Sequence, residues 1–160
     1  MTSKAQALAD QFRAYNDQLI DFVKRVPDTK WNKKCRGEEW TVGVVARHIG
    51  AGHYGSIQLA KMIISGAPLP SFTREQINEL GNAHAAKHAD CSKEEVLSIL
   101  EKKGRALEAY VAGLSDADLA CSADLEAFGG STTVKQLLKA IILHSAGEHL
   151  ESMRQTLAGT

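Results

Sequence analysis

The chain has no excess of charge of either sign, with nineteen Lys and Arg against nineteen Asp and Glu. General nucleic-acid and acidic-membrane binders rely on a one-signed field, so neither a nucleic-acid partner nor a membrane partner is expected. There is also no apolar run near the roughly 18 residues that cross a bilayer, and Met1 to Leu19 alternates polar and apolar residues instead of building a signal-peptide core. A soluble, cytoplasmic protein is the expectation. Cysteine is scarce: Cys35, Cys91 and Cys121 are odd in number and widely spaced, which fits neither a disulfide framework nor a CxxC zinc knuckle and leaves reduced thiols. Aromatic residues make up only 6%. The core must therefore rest on Leu, Ile, Val and Ala.

What is present suffices for one domain. At 160 residues and 44% hydrophobic, the chain can bury a single core, and residues 1–160 are read as one helical bundle domain. Leu8, Phe12, Tyr15, Leu19, Phe22 and Val26 recur three or four apart and predict an amphipathic helix over 5–26 that stops at Pro27-Asp28. The polar stretch 29–39 reads as a long loop, pinned by Trp31 and Trp40. A second long helix is expected from an N-cap at Thr41 to Gly66-Ala67-Pro68, with Gly43, Gly50, Gly52 and Gly55 offset by close packing or a kink. Residues 73–89 give a more polar helix at the bundle edge, and Asp90-Cys91 marks a break. The capping pattern Ser92-Lys93-Glu94-Glu95 opens the next helix, which closes at Ser115-Asp116. Residues 115–130 read as a connection with one short turn. Thr133-Val134-Lys135-Gln136 caps a last helix running to about Leu157. No hairpin dipeptide stands between alternating strands, so an all-α four-helix bundle needs no strand.

The six histidines fall into three close pairs, His48/His53, His84/His88 and His144/His149. His48 lies among Val44, Val45 and Ile49, and His144 and His149 are embedded in apolar sequence on the last helix. Interior imidazoles need a cation or a hydrogen-bond network to satisfy their nitrogens. The obstacle is spacing: residues five apart sit about 140° apart around a regular helix, whereas i and i+4 share a face. Either a π-bulge near Gly147 restores a common face for His144 and His149, or Glu148, four after His144, replaces one imidazole. His53 reaches the same cavity only if the Gly50/Gly52 region is distorted. His84 and His88 have ideal i, i+4 ligand spacing but lie on a polar helix without an obvious third donor, so adventitious surface metal binding is expected there. Cys91, just before a helix start, and Asn78 and Asn82, near a cleft edge, receive no role.

Two segments carry a family resemblance. Trp40-Thr41-Val42-Gly43-Val44-Val45-Ala46-Arg47-His48-Ile49 resembles the tryptophan, helix start and histidine of the DinB-like superfamily, which includes the N-terminal domain of mycothiol-dependent maleylpyruvate isomerase. Ile142 to Arg154 resembles that family's last-helix pattern, and Asn82-Ala83-His84 and Leu114 to Leu119 are similar to its looser middle. The resemblance implies an up-down-down-up four-helix bundle, here with an extra short or broken helix before the third long one. It also implies a divalent metal, zinc or nickel, held by one histidine of helix two and two ligands of helix four. By position these are His48, His149 and the residue four before it, which is Ser145, a poor ligand. The expected set is therefore His48, His144 and His149, with Glu148 as the catalytic proton acceptor or as a group orienting an imidazole. The family's chemistry implies thiol transfer to a small electrophile, with a low-molecular-weight thiol as co-substrate, or a related hydrolysis, and a homodimer. The alternatives are a non-catalytic, stress-associated binding or interaction protein with a degenerate metal site, or a metal-binding module without turnover.

Overall fold

The computed structural model describes residues 1–159. Helix α1 (Lys4–Arg25) starts where Ser3 Oγ accepts the Gln6 amide at 3.0 Å, and it ends before Pro27, which cannot continue it. Its buried stripe, Leu8, Phe12, Tyr15, Leu19 and Val23, packs on α5 (Lys93–Ala112) through Val96, Leu100, Leu107 and Val111. Each such side chain contributes about 1.5–3 kcal/mol by leaving water. A buried polar thread ties this pair to the rest of the molecule. Asn16 Nδ2 donates to the Leu100 carbonyl at 3.1 Å, Tyr54 Oη donates to Asn16 Oδ1 at 2.6 Å, and Tyr15 Oη donates to the Ala146 carbonyl at 2.7 Å.

The second long helix is not continuous. It comprises α2 (Val42–Ala51), a 3₁₀ turn over His53–Ser56, and α3 (Ile57–Ser65), which ends on the left-handed Gly66. Two glycines explain the break. A Cβ on Gly50 would lie 2.8 Å from Ile99 Cγ2, so only glycine lets α2 approach α5 this closely. A Cβ on Gly52 would lie 2.8 Å from the His48 carbonyl and 3.2 Å from its ring, so glycine alone keeps the space over the His48 ring clear where its amide bonds that carbonyl at 2.7 Å.

Helix α4 (Arg74–Lys87) is the extra element, opened by a Thr73/Gln76 capping box. A short α6 (Asp116–Ala120) then leads into a feature the sequence reading omitted, an antiparallel hairpin of β1 (Ser122–Leu125) and β2 (Gly130–Thr133). Its register runs from Ser122 opposite Thr133 to Leu125 opposite Gly130, and its turn is closed by Gly129 and Gly130, both with positive φ. Strands of four residues are too short for a period-two pattern to stand out from a loop.

The last helix is composite: α7 (Val134–Leu138), a π-helical stretch over Lys139–Ser145, and α8 (Ala146–Ala158). Leu138 and Leu150 are both buried yet twelve residues apart. In a regular helix they would diverge by about 120°. The wide π turn absorbs the surplus residue. α1, the broken α2–α3, α5 and α7–α8 are the four members of the bundle, and α4 and the hairpin lie against them. None of the described helices is long and apolar enough to cross a membrane.

Candidate metal centre

Three imidazoles from three separate segments converge. His48 (α2), His53 (the 3₁₀ turn) and His149 (α8) each offer a ring nitrogen, and these atoms all lie within 4.8 Å of one another. Ring centroids are 4.9 Å apart for His48 and His53, 5.0 Å for His53 and His149, and 5.6 Å for His48 and His149. Ligands around one tetrahedral zinc stand about 3.4 Å apart, so an ion fits after each ring moves inward by roughly 1 Å. The donor set also suits a cation. Burial, then the neighbouring His149 and His84, pushes His48 down to about pKa 4, and burial with His48 and His149 pushes His53 down to about 3. Both rings are neutral at pH 7, as a ligand must be. His53 Nδ1 is buried without a hydrogen-bond partner, while its Nε2 lies 3.0 Å from Ser145 Oγ. A buried nitrogen left without a partner is costly, and a bound ligand is one way to satisfy it.

Glu38 supports the third ring. The turn from Cys35 to Trp40 is closed by Cys35 N–H to the Trp40 carbonyl (2.8 Å) and Glu39 N–H to the Cys35 carbonyl (2.9 Å), with Glu39 in the left-handed region at φ 61°. This places Glu38 Oε1 3.4 Å from His149 Nδ1, while Ser152 Oγ donates to Glu38 Oε2 at 2.9 Å. Burial alone would raise this carboxyl, but hydrogen bonds from His149 and Ser152 hold it below its usual range. A carboxylate on the far nitrogen of a ligating histidine fixes ring orientation and tautomer.

The expected set is thus only partly assembled. His48 and His149 meet. His144 does not join them: its side chain is 78% exposed, and its Nε2 lies 3.4 Å from Oε1 of the equally exposed Glu148. The π segment sits upstream of Gly147, not at it, and ends at Ser145. From there α8 is regular, so Ser145 shares the inner face with His149 and His144 points outward. The vacant third corner is taken by His53, brought in by the break at Gly52. Of the remaining pair, His84 is half-buried, with its ring centroid 5.7 Å from that of His48 and 4.7 Å from that of His88. Trp40 stands edge-on to His48 at 5.0 Å and donates from Nε1 to Asn82 Oδ1 at 3.1 Å. Trp31 is pinned by a 2.9 Å hydrogen bond to the Cys91 carbonyl. Cys35 and Cys91 are buried free thiols, and Cys121 is half-buried.

The family model of the DinB superfamily matches residues 11–153. The chain belongs to the DinB superfamily. Two solved structures share its fold. One, YfiT from Bacillus subtilis, is described as a probable metal-dependent hydrolase with an unusual four-helix bundle topology; it is 15% identical, with a TM-score of 0.68 over 96% of this chain and 83% of its own. The other, the Sibling Lethal Factor Precursor DfsB, is 16% identical, with a TM-score of 0.74 over 99% of this chain and 97% of its own. No curated protein matches the sequence. Within the DinB superfamily fold, this chain carries serine where the resemblance expects the ligand four residues before His149, and a histidine from the broken second helix stands beside it.

Proposed function

We propose that the protein is a divalent-metal-dependent enzyme acting on a small molecule, with His48, His53 and His149 as the metal ligands. The observation that carries this reading is the convergence of three imidazoles, two of them depressed to neutrality by burial, around one point. Three protein ligands leave a position open, as a catalytic metal requires. A zinc or nickel ion there would lower the pKa of a nucleophile, water for hydrolysis or a low-molecular-weight thiol for transfer to an electrophile. The chain's own residues hold and shield the site: Glu38 orients His149, Ser145 anchors His53, and Trp40 walls His48. The description of YfiT as a probable metal-dependent hydrolase makes hydrolysis the first reaction to assay.

Metal analysis of tag-free protein incubated with zinc or nickel tests the ligand set. About one equivalent is expected, with affinity lost at least tenfold in His48→Ala, His53→Ala and His149→Ala and unchanged in His144→Ala and Glu148→Gln. Retention of metal by His53→Ala together with loss in His144→Ala would reinstate the set expected from the sequence. A panel of esters and amides, run beside thiols with small electrophiles, separates hydrolase from transferase, and metal binding without turnover on either would indicate a binding module.

A further inference from the structure

His84 lies beside His48 with one ring nitrogen engaged and the other without a partner. Arg47, the residue before His48, has a side chain only 12% exposed; its Nη1 donates to His84 Nε2 and its Nε lies 3.4 Å from Glu95 Oε1. A guanidinium has no acceptor, so the nitrogen facing it must be the unprotonated one, and the proton of the neutral ring sits on Nδ1. That Nδ1 is buried and has no hydrogen-bond partner, although its ring lies beside His48.

We propose that the Nδ1–H of His84, fixed in that tautomer by Arg47, donates to an anionic oxygen of the substrate beside His48, and that the substrate class is therefore a small carboxylate or phosphate. Resting on the metal reading above, the charge balance agrees. The Arg47 guanidinium and the Lys87 ammonium both act on the His84 ring, against the one carboxylate of Glu95 that pairs with Arg47, so the surroundings favour an anion even before a divalent ion is counted. Leaving a buried donor unmade is costly, and a donor to a charged oxygen is among the stronger hydrogen bonds.

The test is calorimetric titration of the zinc-loaded and the metal-free protein with benzoate and with inorganic phosphate, the two arms separating the sources of the oxyanion. Wild-type, His84→Ala, His84→Gln and His84→Asn proteins are compared. Asn places an amide donor near the position of Nδ1, whereas Gln places one near Nε2. The expected result is a Kd weakened about tenfold in His84→Ala and His84→Gln and within threefold of wild type in His84→Asn, with zinc stoichiometry unchanged throughout. Imidazole ¹⁵N–¹H correlation spectra read the tautomer directly and should show Nδ1 of His84 protonated in wild type and a mixture in Arg47→Met. Equal Kd values in wild type and His84→Ala, or a proton on Nε2, would overturn this inference whatever the metal result. Absence of zinc uptake by the wild-type protein would instead strike the reading on which it rests.

Discussion

Glu38 touches two partners at once, Nδ1 of His149 and Oγ of Ser152, and so ties its turn to α8 and holds a ring that faces the centre. Replacing it with Gln keeps the shape but removes the charge that fixes the ring, and zinc affinity should fall by roughly 10- to 100-fold. A competition titration with a chromophoric chelator measures this, and an unchanged affinity would reduce Glu38 to a surface-loop anchor. His48 and His149 were legible in the sequence because each sits in apolar surroundings on a long amphipathic helix. Glu38 was not, and His53 was legible only on the condition that the Gly50/Gly52 region is distorted. His53 enters through the 3₁₀ turn that follows Gly52, and Glu38 through a left-handed Glu39 that no propensity would assign to glutamate.

The surplus residue in the last helix is an element-scale device. Lys139–Ser145 widens so that Leu138 and Leu150 both stay inside, and His144 is the exposed member of that stretch. Deleting His144 brings the two leucines from twelve to eleven positions apart, which a regular helix places within about 20° of a common face. The deletion variant should keep its helical circular dichroism, its zinc stoichiometry and a Tm within about 5 °C of wild type. A loss of zinc would mean that the π turn itself places His149. The helices were readable because their caps and stops are chemically marked, as at Ser3, Thr73 and Thr133. The residue count between the histidines left a bulge and a Glu148 ligand as alternatives, and the π segment that is present does not bring His144 to the face of His149. The location of that segment did not follow from the count, since it is set by which leucines on either side must face the core. The hairpin escaped for a related reason: eight strand residues joined by a 3₁₀ turn and two left-handed glycines carry no periodicity of their own.

At the scale of the whole molecule, the buried neutral imidazoles couple folding to pH. His48 and His53 have folded-state pKa values of about 4 and about 3, against 6.5 for a free imidazole. Between those values the unfolded chain binds more protons than the folded one, so stability rises with pH. In metal-free protein their contribution should be complete above about pH 6.5 and lost progressively as pH falls from there through 4 towards 3, at about 1.4 kcal/mol for each unit by which a ring's pKa is lowered and at most about 8 kcal/mol for the two rings together. Urea unfolding at pH 7.5, 5.5 and 4.5 measures the slope. A flat profile would show that these rings accept protons in the folded state.

The edge-on contact between Trp40 and His48 makes the protein its own optical gauge. An indole 5.0 Å from that ring feels any cation arriving there, whereas Trp31, held on the Cys91 carbonyl, supplies a steady background. Intrinsic emission should therefore change in step with zinc or nickel added to unlabelled protein, and in Trp40→Phe the remaining signal should stay constant through the same titration.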